Sequence, residues 1–384
     1  MSARKRLSDT PLSWAFTLQA LAGALRAAAS GRPVVWLSLS GGGAGSAADL
    51  RGRSLAPELA RLGWSCVVLH PRLRLNARRL LLRWFRPDVV LLQQTRHPLN
   101  RPEIYAPVPC VLDADDADII NPAERERIGD IARRCHGVVA GSRHLAGLFG
   151  PYNHARRVIW TGTHLHSPVL VQPNGRRGAV LAWAPSDPFG YPSELAFVQQ
   201  IGRQLRTPGL ELRIYGIPPA RQAEMQALWH GSLPADLRVR LRLMPPLPYP
   251  AFLASLSEVA VGLQPVCADH PYSLGKSFGK ALAYLAADTA IIASDNIDHP
   301  LFFRDRVNSR LLGNEASAWA QACDELLAQP EQRQQLVGQA RHDLLARLTT
   351  ARSAALLSEL LHQARQGLAW PRGLAPTPNS ADHD

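Results

Sequence analysis

Lysine occurs three times in this 384-residue chain, at positions 5, 276 and 280, and arginine supplies the rest of its 43 basic residues. Lys276 and Lys280 are four apart and fall on one face of any helix that carries them. In a chain whose default cation is arginine, two retained lysines point to a site that wants a compact charge rather than a planar fork. The segment reads as a strand over 258–265, a loop, and a helix around 277–287 whose first turn holds Ser277 and Gly279. A helix that starts after a strand turns unpaired N–H groups and its positive dipole end toward an anion. Lys276, Ser277, Gly279 and Lys280 are therefore candidates for holding a diphosphate, with solvated surface lysines as the plain alternative. This is not a P-loop, because His270 and Leu274 stand where the glycine six before each lysine is required.

Four other clusters could carry chemistry or binding. Gly41, Gly42 and Gly43 end a strand and open a helix, so the backbone there can approach a ligand closely, or simply turn. VLDADDADI at 111–119 packs Asp113, Asp115, Asp116 and Asp118 after a strand. Asp113 and Asp115 have the spacing of a metal-binding Asp-x-Asp pair, whereas helix capping would also employ such aspartates. LLQQTRHPLNRP at 91–102 places Gln94, Arg96, His97 and Asn100 after another strand, a set suited to a sugar or phosphate, although a single histidine such as His97 is often a structural hydrogen bonder. Finally, Arg78, Arg79 and Arg83 alternate with leucines beside Trp84 and Phe85, a pattern compatible with an anionic membrane surface or with an ordinary half-buried helix.

The elements that must position these residues alternate along the chain. Strands are expected at 33–39, 65–70, 88–93, 110–113, 137–140 and 157–160, with helices between them. After a turn-rich stretch at 161–177 the alternation restarts, with strands at 179–185, 210–216, 238–243, 258–265, 289–295 and 309–313. Helices close the chain at 315–328, 331–346 and 350–366. Short apolar strands alternating with helices predict parallel sheets covered on both faces, hence an α/β protein of two doubly wound, Rossmann-like domains. The expected division is a helical extension over 1–32, domains at 33–170 and 177–348, a closing helix at 349–367 and a disordered tail at 368–384. Ligands of such halves sit at the carboxyl ends of the strands, and two facing halves would form a cleft.

Composition narrows the class. The net charge of +12 and pI near 10.1 come with no recognisable nucleic-acid-binding module, so nucleic acid is not an expected partner. Five widely spaced cysteines lack the spacing of a disulfide framework or a zinc site, which suits a reducing cytoplasm. No run of apolar residues is long enough to span a bilayer. The apolar stretch at 11–29 faintly imitates a signal peptide, but Gln19 and Arg26 interrupt it.

One resemblance draws these parts together. Val261, Gly262, Leu263 and Pro265, then Lys280, Tyr284, Leu285 and Ala286, then Ala293, Ser294 and Asp295, resemble the donor-site segment of GT-B glycosyltransferases, the retaining family 4 in particular. GVVAGSRHLAGLF at 137–149 and the stretch 309–336 are similar to further motifs of that family, so the likeness covers most of residues 33–345. Two glutamates eight apart, typical of the family, are replaced by Gly275 and Ala283.

The resemblance implies two Rossmann-like domains facing across a cleft and transfer of a sugar from a UDP- or GDP-sugar to a glycan or lipid-linked acceptor, with retention at the anomeric carbon. The donor would lie on Lys276, Ser277, Gly279, Lys280, Tyr284 and Asp295, and the acceptor near Gly41, Gly42 and Gly43. Asp115 or Asp116 would orient or deprotonate the acceptor hydroxyl, with His97 as a further catalytic candidate. Neither a metal nor another cofactor is expected where lysines neutralise the leaving diphosphate. Surface polysaccharide or glycoconjugate synthesis at the inner face of a membrane is the implied setting. A non-catalytic GT-B relative that binds glycans or a partner, and a nucleotide-sugar epimerase of the same fold, are the alternatives.

Overall fold

The computed structural model describes residues 12–43, 45–163, 172–276 and 278–370. These described residues divide into two compact units, one holding those up to Ala140, Ala146–Ile159 and those from Ser353 on, the other those within Gly141–Leu145 and Trp160–Arg352.

The first unit has six strands, β1 (Val34–Ser38), β2 (Ser65–Leu69), β3 (Val89–Gln93), β4 (Cys110–Ala114), β5 (Gly137–Ala140) and β6 (Arg156–Val158). All pair in parallel in the order β2-β1-β3-β4-β5-β6, with Trp36 opposite Val67 on one side and Val90 on the other. The second unit repeats the plan with β7 (Val180–Trp183), β8 (Glu211–Ile214), β9 (Leu241–Leu243), β10 (Val261–Gln264), β11 (Ala290–Ser294) and β12 (Arg310–Leu312), ordered β12-β11-β10-β7-β8-β9. Central strands such as β3 and β11 are buried at every residue, as expected of apolar, β-branched runs with helices on both faces. Strand order reverses between β1 and β3 and between β7 and β10, and a crevice for a ligand opens at the carboxyl end of such a switch point.

Three departures from the sequence expectations have local causes. The strand expected over 238–243 shrinks to β9, because the residues after Pro234 take up a helical turn, Ala235–Val239. The last helix, Thr350–Arg365, is grouped from Ser353 onward with the first unit, where Trp64 Nε1 donates to Ser358 Oγ at 2.9 Å and Leu357, Leu360 and Leu361 join the core. The expected tail begins in order: Trp370 is buried against Gly137, and the Leu368 carbonyl meets His136 Nε2 at 2.9 Å. The remainder of that tail, Met1–Pro11 and the expected boundary region at 164–171 lie outside the described residues.

Candidate functional site

In the second unit, the helix Gly279–Ala286 follows β10 and brings Lys280 into its first turn. Phe278 stands before it and supplies no capping side chain, and Gly279 takes a positive φ of 38°. The Lys280 ammonium is half-buried over the Phe252 ring, 4.9 Å from its centroid, with no carboxylate partner among the described residues. Burial first, and the neighbouring Lys276 second, pull its pKa below the ordinary lysine value. Lys276 lies 4.6 Å from the Tyr272 ring and 5.8 Å from that of Tyr191. Asp295 is exposed just after β11, with its N–H donating to the Leu312 carbonyl at 2.7 Å. Ser277 lies outside the described residues.

Tyr284 does not belong to this exposed set. It is fully buried, its hydroxyl donates to the Ala182 carbonyl at 3.1 Å, and its ring covers Gly262, where a Cβ would come within 2.6 Å. The tyrosine therefore locks its helix onto β7 and β10 instead of meeting a donor. Ala283 is buried beside it.

Sequence reasoning missed Glu194, which stands in the first turn of the helix Pro192–Gly202 and is 2% exposed. Its Oε1 accepts the Cys267 N–H at 3.0 Å, tying the loop after β10 to the helix after β7, while its Oε2 is buried without a hydrogen-bond partner. The signal available was an acidic residue just inside a helix opened by proline. Tyr191 and Tyr272 were also missed, since the loop 184–193 carries no charge pattern that would single out Tyr191.

In the first unit the aspartate cluster resolves into ion pairs. Arg51, 4% exposed, donates through Nε and Nη2 to Asp113 at 3.0 and 2.5 Å, and Asp115 lies 3.7 Å from its Nε. Burial raises the Asp113 pKa against the pull of Arg51; burial lowers that of Arg51, which Asp113 and Asp115 overcome to give a net rise. Arg96 holds Asp116 at 2.8 Å and Asp118 at 2.7 Å, and Gln94, at a positive φ of 56°, reaches Asp116 from its Nε2 at 3.4 Å. Asp113 is thus committed to Arg51 and is not presented to a metal. Among the described residues no group of three His, Cys, Asp or Glu side chains is placed to hold a metal ion.

His97 is not free to act as a base. Its Nδ1 accepts the Leu99 N–H at 3.2 Å and its ring also bonds the Pro71 carbonyl. Burial first, then Arg78, pull its pKa down to about 4. Gly41, Gly42 and Gly43 follow β1 at the switch point, and Gly42 and Gly43 are exposed.

Arg78 is not a membrane contact. It is 1% exposed and turns inward, donating to Ser38 Oγ at 2.6 Å, to the Tyr105 hydroxyl and to the carbonyls of Leu73 and His70 at 3.1 and 3.2 Å. Arg79 and Arg83 are exposed on the same helix, Leu75–Trp84, beside Leu80 and Trp84.

No family model matches the chain, and no curated protein does. Solved structures do match. A glycosyltransferase of Rickettsia africae ESF-5 superposes with a TM-score of 0.65 at 12% identity, covering 87% of this chain and 99% of that one. The sucrose-phosphate synthase of Thermosynechococcus elongatus gives 0.63 at 15% identity over 86% of this chain and 98% of the other. HepE of Anabaena, in complex with UDP and glucose, gives 0.62 at 12% identity over 86% of this chain and all of the other. At such identities the likeness is one of fold, and the fold is that of the GT-B glycosyltransferases.

Proposed function

We propose that the chain is a glycosyltransferase that moves a sugar from a nucleotide-sugar donor to a glycan or lipid-linked acceptor. The observation that carries this reading is Lys280, a half-buried cation with no carboxylate among the described residues, at the carboxyl end of the second sheet beside Lys276. A buried charge lacking a partner is costly, and a bound diphosphate would supply one. In the reaction Lys280 and Lys276 neutralise the diphosphate as the sugar leaves, with Gly279 and Asp295 at its margin. UDP is the first nucleotide to test, because the fold neighbour HepE is seen with UDP and glucose, and GDP is the second.

On the acceptor side, Asp115 and Asp116 orient the attacking hydroxyl, and their arginine neighbours hold them in place. Retention at the anomeric carbon is what the resemblance to family 4 implies. A cytoplasmic enzyme touching an anionic membrane face through Arg79, Arg83, Leu80 and Trp84 fits the exposed side of their helix, and Trp14 and Leu18, also exposed, lie on the neighbouring helix Leu12–Ala29. No helix of the described residues is long and apolar enough to cross a membrane.

One observation favours the non-catalytic reading: Ala283, at the position of the family's second glutamate, is buried and has no group to hold a ribose. The test is nucleotide release from a panel of UDP- and GDP-sugars, with and without candidate acceptors. Acceptor-dependent release of UDP or GDP supports transfer. Binding without release supports the glycan-binding or partner role, and anomer-independent interconversion of the sugar supports an epimerase.

A further inference from the structure

Arg78 is the buried cation of the first unit that the reading above does not use. Each of its acceptors is neutral: Ser38 Oγ, the Tyr105 hydroxyl and the carbonyls of Leu73 and His70. No carboxylate reaches it among the described residues, so a positive charge is enclosed below the loop after β1 with nothing to balance it. Linked to it through Ser38 and Asn100, Gln93 is fully buried and its Oε1 accepts from the N–H and hydroxyl of Ser40, leaving Nε2 without a partner among the described residues.

The exposed side of this place is made of donors. His70 Nδ1 accepts the Arg72 N–H at 3.1 Å, so the neutral ring carries its proton on Nε2. That atom points at the glycine loop, 3.2 Å from where a Cβ on Gly42 would stand. Phe16 stacks on the His70 ring with centroids 3.6 Å apart, which fixes the plane of the imidazole. The N–H groups of Gly42 and Gly43 make no hydrogen bond among the described residues. Arg53 and Arg72 lie close enough to act on His70, together with Arg78. The carboxylate at this loop, Asp49, is taken up by the Gly45 N–H at 2.8 Å and by Arg53 at 3.3 Å.

From this arrangement we infer that the loop Gly41–Gly43, His70 and Arg72 form a cradle for a phosphoryl group, and that the acceptor substrate carries one. The inference rests on the glycosyltransferase reading for the word acceptor, while the anion site stands on its own geometry. Gly42 and Gly43 N–H, His70 Nε2–H and the exposed Arg72 guanidinium are donors without an acceptor among the described residues, and the buried Arg78 adds to the field. A neutral hydroxyl there would satisfy one donor and leave the buried charge unbalanced.

The test follows the His70 imidazole signals of the full chain by NMR while glycerol 3-phosphate or dihexanoyl phosphatidic acid is added, with glycerol as the neutral control. Either phosphate shifts the His70 signals and raises its pKa, which burial and then Arg53, Arg72 and Arg78 now hold below the ordinary value. Response to the first indicates a soluble phosphorylated acceptor, and response to the second alone indicates a lipid one. Gly42→Val, which fills the cradle, and Arg72→Ala each weaken the response by at least about tenfold. Lys280→Ala leaves it unchanged. His70 signals indifferent to both phosphates, or a response surviving Gly42→Val and Arg72→Ala together, would overturn the inference. UDP is titrated into the same samples: its failure to bind while His70 still responds would contradict the transferase reading and leave the anion site standing.

Discussion

The two sheets are built on one plan, yet they keep charge differently at the carboxyl ends of their strands. In the first unit the aspartates at the end of β4 and just beyond it are matched by arginines, Asp113 by Arg51 and Asp116 by Arg96. In the second, Lys280 faces an aromatic ring and another lysine. A charge balanced within the fold has a structural task already; one left unbalanced by the fold awaits something from outside. By that criterion Asp113, the buried member of the most eye-catching motif in the sequence, is framework, and the plainer lysine helix is the better candidate for holding the donor.

The comparison can be broken most forcefully at Arg51. Arg51→Ala leaves the buried Asp113 carboxylate alone and should destabilise the first unit by about 3–5 kcal/mol, read from urea unfolding. UDP affinity at temperatures where the variant is folded should stay as in the wild type. A smaller loss would mean that the pair is less enclosed than its geometry indicates.

The next effect is one of pH and belongs to the second unit. His299 is buried among Phe278, Phe302 and Phe303, and burial holds its pKa down at about 4 despite a bond to the Ser294 carbonyl. The folded state thus resists a proton that the unfolded chain accepts near pH 6.5, so this contribution is complete above about pH 6.5 and falls as pH drops toward 4. The loss should reach roughly 3 kcal/mol at about pH 4, and His299→Gln should flatten that part of the stability profile. His97, also held down at about 4, adds a fall of the same sign in the first unit.

The smallest effect is at the surface. Replacing Arg79 and Arg83 by glutamate should weaken sedimentation with anionic vesicles by about 1 kcal/mol for each basic charge removed, with unfolding unchanged. Arg78 is left in place, because its role is internal. Wild-type protein that does not sediment at low salt would remove the membrane contact.

Much of the architecture was legible because parallel strands are buried on both faces and leave short apolar runs, as VVLLQ in β3 and AIIAS in β11 do. What escaped was decided by partners distant in sequence. Tyr284 matches a donor-site motif, but its fate is set by Gly262, whose missing side chain makes room for the ring. Arg78 looks like its neighbours Arg79 and Arg83, yet it sits three residues before the buried Leu81, on the inward face, a helical spacing that could have flagged it. The Asp-x-Asp spacing left a metal pair and helix capping both open for Asp113, because its partner, Arg51, lies 62 residues away on another element. Glu194 shows in the sequence only as an acidic residue in a helix's first turn, which says nothing of its bond to Cys267.

The central claim is that Lys280 holds a diphosphate, and calorimetric titration of UDP into wild-type and Lys280→Ala protein tests it most directly. A charge-assisted bond to a phosphate contributes roughly 1.5–3 kcal/mol, so the variant should bind UDP about ten- to a hundredfold more weakly at a nearly unchanged melting temperature. Lys276→Ala, nearer the loop and already resting on two tyrosine rings, should lose less. Equal UDP affinity in wild type and Lys280→Ala would contradict the account.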